Sequence, residues 1–230
     1  MLEFIEKILS PFIYVIKNYY LLMDSLFSFP AISIVFTSLS ISIFLLPILR
    51  VARVYEDNAS IKINHIQEKL KEIPPALSGE QRFRAIEEIY NKNNFHPIHN
   101  IYTGISFYTI LPILLSAYLF FLNNINIFDV SAFNIINLSQ PDKLLGNLNL
   151  LPILIFITNY VDSSYRYYEI KSGQNTYLII SFFICILIYN MPSCMTLYWL
   201  TSSIFSLFMN LIQLIFQIQF LQKMFREMIS

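Results

Sequence analysis

Between Lys171 and Lys223 the chain carries no Asp, Glu, Lys or Arg, a run of 51 residues. A bilayer core takes about 20 apolar residues per helical span, so the run holds two spans and a turn. Asn190-Met191-Pro192-Ser193 supplies the turn, because Pro192 lacks a backbone donor and fits best at a helix start. The second span, about 194–218, is striped rather than uniformly oily. Ser203, Ser206, Asn210, Gln213 and Gln217 recur at steps of 3, 4, 3 and 4, which sets five polar side chains on one helix face. Lipid offers that face no partners. It must turn toward other helices or toward a wet cavity among them.

The remaining composition points the same way. Of 230 residues, 56% are hydrophobic and 13% charged, with mean hydropathy +0.56. A soluble domain carries about 25% charged residues. The class is an all-α, multi-pass membrane protein. Zero net charge gives no bulk attraction to nucleic acid, so no nucleic-acid specificity is expected. Cys185 and Cys194 lie within or beside apolar spans and read as small packing residues, not a disulfide framework. The four glycines form no GxxxG motif, so glycine-based helix packing is not the organising device.

Residues 1–29 lack the basic start and small-residue cleavage site of a secretory signal. Ile5, Leu9, Phe12, Ile16, Tyr19, Met23 and Phe27 share one face; Glu3, Lys7, Ser10, Lys17, Asp24 and Ser28 lie mostly opposite. That describes an amphipathic helix in the membrane interface, with a poor first span as the competing reading. The first span, 30–49, carries Ser33, Thr37, Ser38, Ser40 and Ser42, with Pro47 near its end. Such hydroxyls either bond back to the preceding turn or face polar neighbours, and both readings stand.

Residues 50–97 are the main soluble piece and hold 8 of the 15 Lys and Arg. Ile63, Ile66, Leu70 and Ile73 predict a helix with one apolar seam, ended by Pro74-Pro75. Ser78 followed by Gln81 reads as a capping box for a second helix, with Phe83, Ile86, Ile89 and Tyr90 as its seam. Together they predict a two-helix hairpin. His96 and His99 have chelating spacing but no further ligand follows, so a turn is expected there and no metal or other cofactor. Four further spans fill 98–218, at about 101–122, 149–167, 176–191 and 194–218, before a short tail, 219–230. Asn159 and Asp162 lie one turn apart toward the end of the third span. Asp162 is read either as a functional acid at membrane depth or as a solvated group at its edge. Tyr165, Tyr167 and Tyr168 resemble an interfacial belt. An external N-terminus leaves twelve Lys and Arg inside and Lys7, Lys17 and Lys143 outside, so the hairpin and C-terminus are expected in the cytoplasm.

An outer amphipathic helix, one span, a cytoplasmic hairpin and four more spans resemble the YidC/Oxa1/Alb3 membrane-protein insertases. Several stretches carry the resemblance in the right order. Met191-Pro-Ser-Cys-Met-Thr-Leu-Tyr-Trp199 is similar to the family's F-P-A-G-x-x-L-Y-W. Leu-Ser-Gln-Pro-Asp142 with Leu-Leu-Pro-Ile-Leu154 is similar to D-L-S-x-P-D…L-P-I-L. Tyr90-Asn-Lys-Asn-Asn-Phe-His-Pro97 resembles Y-K-x-x-x-x-N-P, and Leu45-Leu-Pro47 matches L-x-P. The chain departs from the pattern at Ser42, where the family usually carries an Arg, and in the spacing from Pro97 to Pro112. It also has no large external domain, and its tail is not strongly basic.

The resemblance implies a polar groove open to the cytoplasm and to lipid, lined here by Ser38, Ser42, Asn159, Ser203, Ser206, Asn210 and Gln213. It implies a non-enzymatic insertase or chaperone of the bacterial plasma (inner) membrane, working without nucleotide; the sequence contains no P-loop. The implied partners are nascent membrane proteins and the lipid bilayer, with the ribosome or a translocon as further candidates. A scaffold or assembly factor for one dedicated membrane partner would keep the same fold and is the alternative. A small-solute transporter would show internal repeats or interrupted helices with converging ionisable groups, and neither is present. Ser42 offers a dipole where a cation would attract acidic client flanks. Ser42→Arg should therefore raise insertion of acidic-flanked clients into proteoliposomes, and unchanged insertion would refute the charge argument.

Overall fold

The computed structural model describes residues 2–98, 102, 105–132, 135–146, 148–166 and 171–229; side chains from 216 onward lie outside that description. The chain is mostly helical. Among the described residues it forms α1 (Leu2–Phe27), α2 (Pro30–Lys71), α3 (Gly79–Lys92), α4 (Ile105–Asn123), α5 (Leu150–Arg166), α6 (Lys171–Ile188) and α7 (Ser193–Ile229). Two of these, α2 and α7, contain stretches long and apolar enough to cross a membrane. The chain divides into two compact units, Met1–Phe44 with Pro112–Ser230, and Leu45–Leu111.

The first unit begins with α1. Pro11 sits inside this helix and cannot donate to the Lys7 carbonyl, and the Ser10 hydroxyl donates to it instead. The face that α1 buries overlaps the expected one only in part. Leu9, Ile16 and Tyr20 are buried, whereas Ile5, Phe12 and Phe27 are exposed. Phe4, Ile8, Phe12, Val15, Leu22 and Leu26 form a second, exposed apolar stripe. The apolar arc is thus about twice as wide as one packing face requires. One flank docks on protein and the other is left exposed, a division that helical spacing cannot reveal. Asp24 does not belong to the solvated side: it accepts hydrogen bonds from Tyr20 and from Ser33 of α2. Burial and the nearby Asp24 carboxylate hold the Tyr20 hydroxyl above its ordinary pKa. Around Tyr20, the rings of Phe120, Phe121, Phe128 and Tyr198 pack mainly edge-on or tilted.

The segment after α4, residues 124–149, is polar and Asn-rich. It contains a 3-10 turn, Ile125–Phe128, and a small antiparallel pair, β1 (Ser131–Ala132) with β2 (Ile136–Asn137), Ser131 facing Asn137. Asp129 accepts from Asn137 and Ser139, and these bonds lower its pKa. The loop then ties down two helix starts. Gln140 offers its carbonyl to the Ser193 amide (2.8 Å) and hydroxyl (2.6 Å), and Leu138 offers its carbonyl to the Cys194 amide. The buried Asp142 carboxylate accepts the Leu150 and Leu151 amides at 2.7 and 2.8 Å, and the Leu144 amide as well. First-turn amides are orphans of any helix, and a carboxylate also suits the positive end of the dipole. Asn149 donates to the Tyr189 carbonyl, joining the start of α5 to the turn after α6. Leu151, Ile155, Ile188 and Leu200 form the apolar core shared by α5, α6 and α7.

In the second unit α2 runs on without a break. Residues 48–73 contain neither Gly nor Pro, so nothing stops the helix at Arg50. At 42 residues it is roughly 63 Å long, about twice a hydrocarbon core. Ile63 and Ile66 are buried with Phe95, and Leu70, Ile89 and Tyr90 pack against them. Phe83, expected on this seam, is exposed instead. Phe95 fills the space because its amide bonds back to the Tyr90 carbonyl, with Asn94 in a left-handed conformation. Ser78 occupies the N-cap of α3 in extended conformation but makes no side-chain cap bond, so the expected capping box does not form.

Asp142 serves three amides, and Ala would leave them without that acceptor. Asp142→Ala should lower stability by about 1–3 kcal/mol, read by thermal unfolding in detergent. Ser78→Ala should change it by less than the roughly 1 kcal/mol of a working N-cap.

Candidate functional site

The hydroxyls of α2 divide between the two roles open to them. Thr37 donates back to the Ser33 carbonyl, the usual alternative for a hydroxyl in a helix, and the single Ser33 proton is shared between the Phe29 carbonyl and the Asp24 carboxylate. Ser38 and Ser42 reach across to α7. Ser38 donates to the Tyr198 carbonyl at 2.8 Å and Ser42 to the Ser202 hydroxyl at 3.4 Å. Both pairs are 160 residues apart and one turn separates them on each helix, so α2 and α7 run parallel here.

About two turns further along, α7 changes partner. Asn210 is 8% exposed and Asp162 of α5 only 2%. The Asn210 amide donates to the Asp162 carboxylate. Asp162 is therefore not the solvated edge group that its position near the end of α5 also allowed. A buried carboxyl needs hydrogen-bond donors, and an amide supplies one without adding charge. Asn159, one turn earlier on α5, donates to Ser181 of α6 at 3.0 Å.

Between the two ties lie Ser203 and Ser206, both half-buried, while Gln213 beyond them is exposed. Neither serine hydroxyl has a hydrogen-bond partner among the described residues. Ile204, Phe208 and Ile215 are exposed on the same helix. At about 100° per residue, Ser206 lies roughly 180–200° from all three. Ser206 therefore points away from the apolar outer side of α7, into the angle between the face that meets α2 and the face that meets α5, whereas Ser203, roughly 100–140° from the three, lies on the flank beside Asn210. The arrangement offers unpaired hydroxyls along an otherwise apolar wall. It can hydrate or hydrogen-bond a polar chain segment; it holds no nucleophile–base pair.

The structure thus brings Ser38, Ser42, Ser203, Ser206 and Asn210 onto or against α7, and turns Asn159 toward α6. Sequence reasoning selected Asn210 by its stripe but not its partner, since nothing in spacing alone pairs residues 48 apart. Tyr198 and Ser202 were also missed, because a backbone carbonyl and one more serine leave no distinguishing signal. The Gln217 side chain, His99, Tyr167 and Tyr168 fall outside the described residues. His96 accepts the Ile98 amide at Nδ1, a local turn contact. Among the described residues, no group of three His, Cys, Asp or Glu side chains is placed to hold a metal.

A family model described as 60Kd inner membrane protein matches residues 22–220. No curated protein matches the chain.

Asn210→Leu would remove a donor to the buried Asp162 carboxylate. It should cost about 1–3 kcal/mol in unfolding from mixed micelles, whereas Ser206→Ala should be near neutral.

Proposed function

Because the chain belongs to the YidC/Oxa1 family of 60Kd inner membrane proteins, whose members are membrane insertases in general terms, we propose that it helps nascent transmembrane segments into the bilayer through a polar intramembrane groove. The groove is lined by Ser203, Ser206 and Gln213 of α7, with Ser38, Ser42, Asn159 and Asn210 bracing its walls. The carrying observation is the position of Ser206, half-buried, unpaired and opposite the exposed apolar stripe of α7, with Ser203 half-buried and unpaired on the adjoining flank.

The physical task is to move a short polar flank through hydrocarbon. A charged side chain at the bilayer centre costs at least about 2.5–3.5 kcal/mol. Hydroxyls that hold water partway across remove part of that cost. The apolar segment of the client then gains about 25 cal/mol per Å² as it leaves water for lipid. That gain drives the transfer, so nucleotide hydrolysis is not required.

In this reading five segments span the membrane: α2 to about residue 49, α4, α5, α6 and α7. Helix α1 lies in the outer interface, and residues 50–97 form a cytoplasmic hairpin. The orientation is supported by the balance of basic residues, twelve on the cytoplasmic side and three outside. The α2–α7 bonds then fall in the outer half and the unpaired serines deeper, so the groove opens toward the cytoplasm. Nascent membrane proteins and lipid are the partners; the ribosome or a translocon could deliver clients at the hairpin.

Ser203→Leu combined with Ser206→Leu makes the groove wall apolar and leaves the Asp162–Asn210 tie in place. The double variant should fail to complement an insertase-depleted strain while keeping its melting temperature. Full growth on an undiminished level of protein would sink the groove reading.

A further inference from the structure

A ladder of polar contacts, with one aromatic pair among them, joins α5 to α6 in a single antiparallel register. Asn149, just before α5, donates its side-chain amide to the Tyr189 carbonyl at 2.7 Å. The Cys185 thiol, a weak donor, meets the Pro152 carbonyl at 3.5 Å. The rings of Phe156 and Phe182 pack edge-on with centroids 6.1 Å apart. Asn159 donates to the Ser181 hydroxyl at 3.0 Å, and Gln174 to the Ser164 hydroxyl at 3.4 Å. From Asn149 to Ser164 the chain advances 15 residues, and from Tyr189 back to Gln174 it retreats 15, so the ladder does not slip along its length.

Apolar packing cannot choose this register. From Leu178 to Ile188 every residue of α6 except Ser181 and Cys185 is Leu, Ile or Phe. Both exceptions face α5. Ile179, Phe183 and Leu187 are exposed, and they lie roughly 120–160° around the helix from Ser181. An α6 turned by half a revolution would offer α5 an equally apolar side. Within hydrocarbon little hydrophobic force pairs two helices, so close packing and interhelical hydrogen bonds decide how they meet. A wrong rotation would leave the Asn159 amide and the Ser181 hydroxyl without each other, where no water replaces the lost partner.

We infer that Asn159 and Ser181 are positioning residues that, with the other rungs, fix the rotation of α6 against α5 and hold the two helices together as one body. The ladder supplies orientation more than stability. Its bearing on clients rests on the insertase reading: client segments pass beside the α5–α6 pair and never between its helices.

The test uses the full chain in liposomes, carrying Cys185→Ser, which keeps a donor, and Cys194→Ala. Phe156→Cys is combined with Phe182→Cys or with Phe183→Cys, and a short reagent that joins two thiols reports which side of α6 faces α5. The 156–182 pair should link several-fold faster than the 156–183 pair, and the linked 156–182 protein should still insert clients. Asn159→Leu with Ser181→Leu removes both partners of one rung and leaves neither unpaired, so the melting temperature should hold. The linking preference should nevertheless fall toward parity, and client insertion should fall with it. Ser181→Thr, which keeps a hydroxyl, should retain both. Equal linking of the two pairs before the rung is removed overturns the inference, as does a preference that survives the double leucine variant. Loss of insertion on linking 156 to 182 overturns it too. If the double leucine variant does not fold, Ser181→Ala must weaken the preference, and an unchanged preference counts against the inference. A chain that keeps the linking preference but inserts no client above protein-free liposomes removes the insertase reading and leaves the pairing of α5 with α6 in place.

Discussion

Hydrocarbon contains no water, so every polar group brought into it must find its partner within the protein. Helix α7 lives under that constraint. Its first turns are held to α2 by Ser38 and Ser42, and a later turn is held to α5 by Asp162 and Asn210. Hydroxyl-to-hydroxyl contact at 3.4 Å is weak, whereas the carboxylate-to-amide bond is charge-assisted when the acid is ionised. The two ties are therefore unequal. Separation is easier along the α2 side of α7 than along the α5 side, and Ser206 lies between those sides. In the proposed groove one wall would then yield while the other stays fixed.

The loop between α4 and α5 solves a related problem at the helix ends. Two helices that start side by side present two sets of orphan amides and two positive dipole ends. Here one short stretch satisfies both: Leu138 and Gln140 serve α7, and Asp142 serves α5. Because the donors belong to different helices, the loop also fixes their mutual spacing. The aromatic cluster around Phe128 backs this loop, with Tyr198 and Tyr20 on either side. Rigidity is concentrated at the helix starts, away from Ser206 and Gln213.

Length and charge made α4 to α7 legible, because a span must be apolar for about 20 residues and its ends must turn. The stripe on α7 was legible because polar residues at helical spacing have no other explanation in an apolar segment. What was not legible were choices between chemically equal partners. Helix α1 offers apolar residues around more than half its circumference, and only packing decides that Tyr20 rather than Phe12 goes inside. Phe83 and Phe95 are equivalent on paper, but the turn after Tyr90 delivers Phe95 to the seam. Ser78 has the cap position without the cap bond, because placement in sequence does not fix a side-chain rotamer. The acid at 162 had two open readings until Asn210 was seen beside it.

A groove of this kind faces opposing demands. Full satisfaction of its polar groups would close it and pack it like any other helix interface. Leaving them all unsatisfied would cost more than the fold could bear, since each buried orphan costs about 1–3 kcal/mol. The chain resolves this by gradation along α7. Tyr198 and Ser202 are engaged, Ser203 and Ser206 are half-buried and unpaired, and Gln213 is exposed. Hydroxyls suit the middle ground, because serine buries little surface and exchanges partners at small cost in side-chain entropy. A passing polar flank can therefore replace water at these serines without breaking a bond that the fold depends on, and the bonds that the fold does depend on lie to either side.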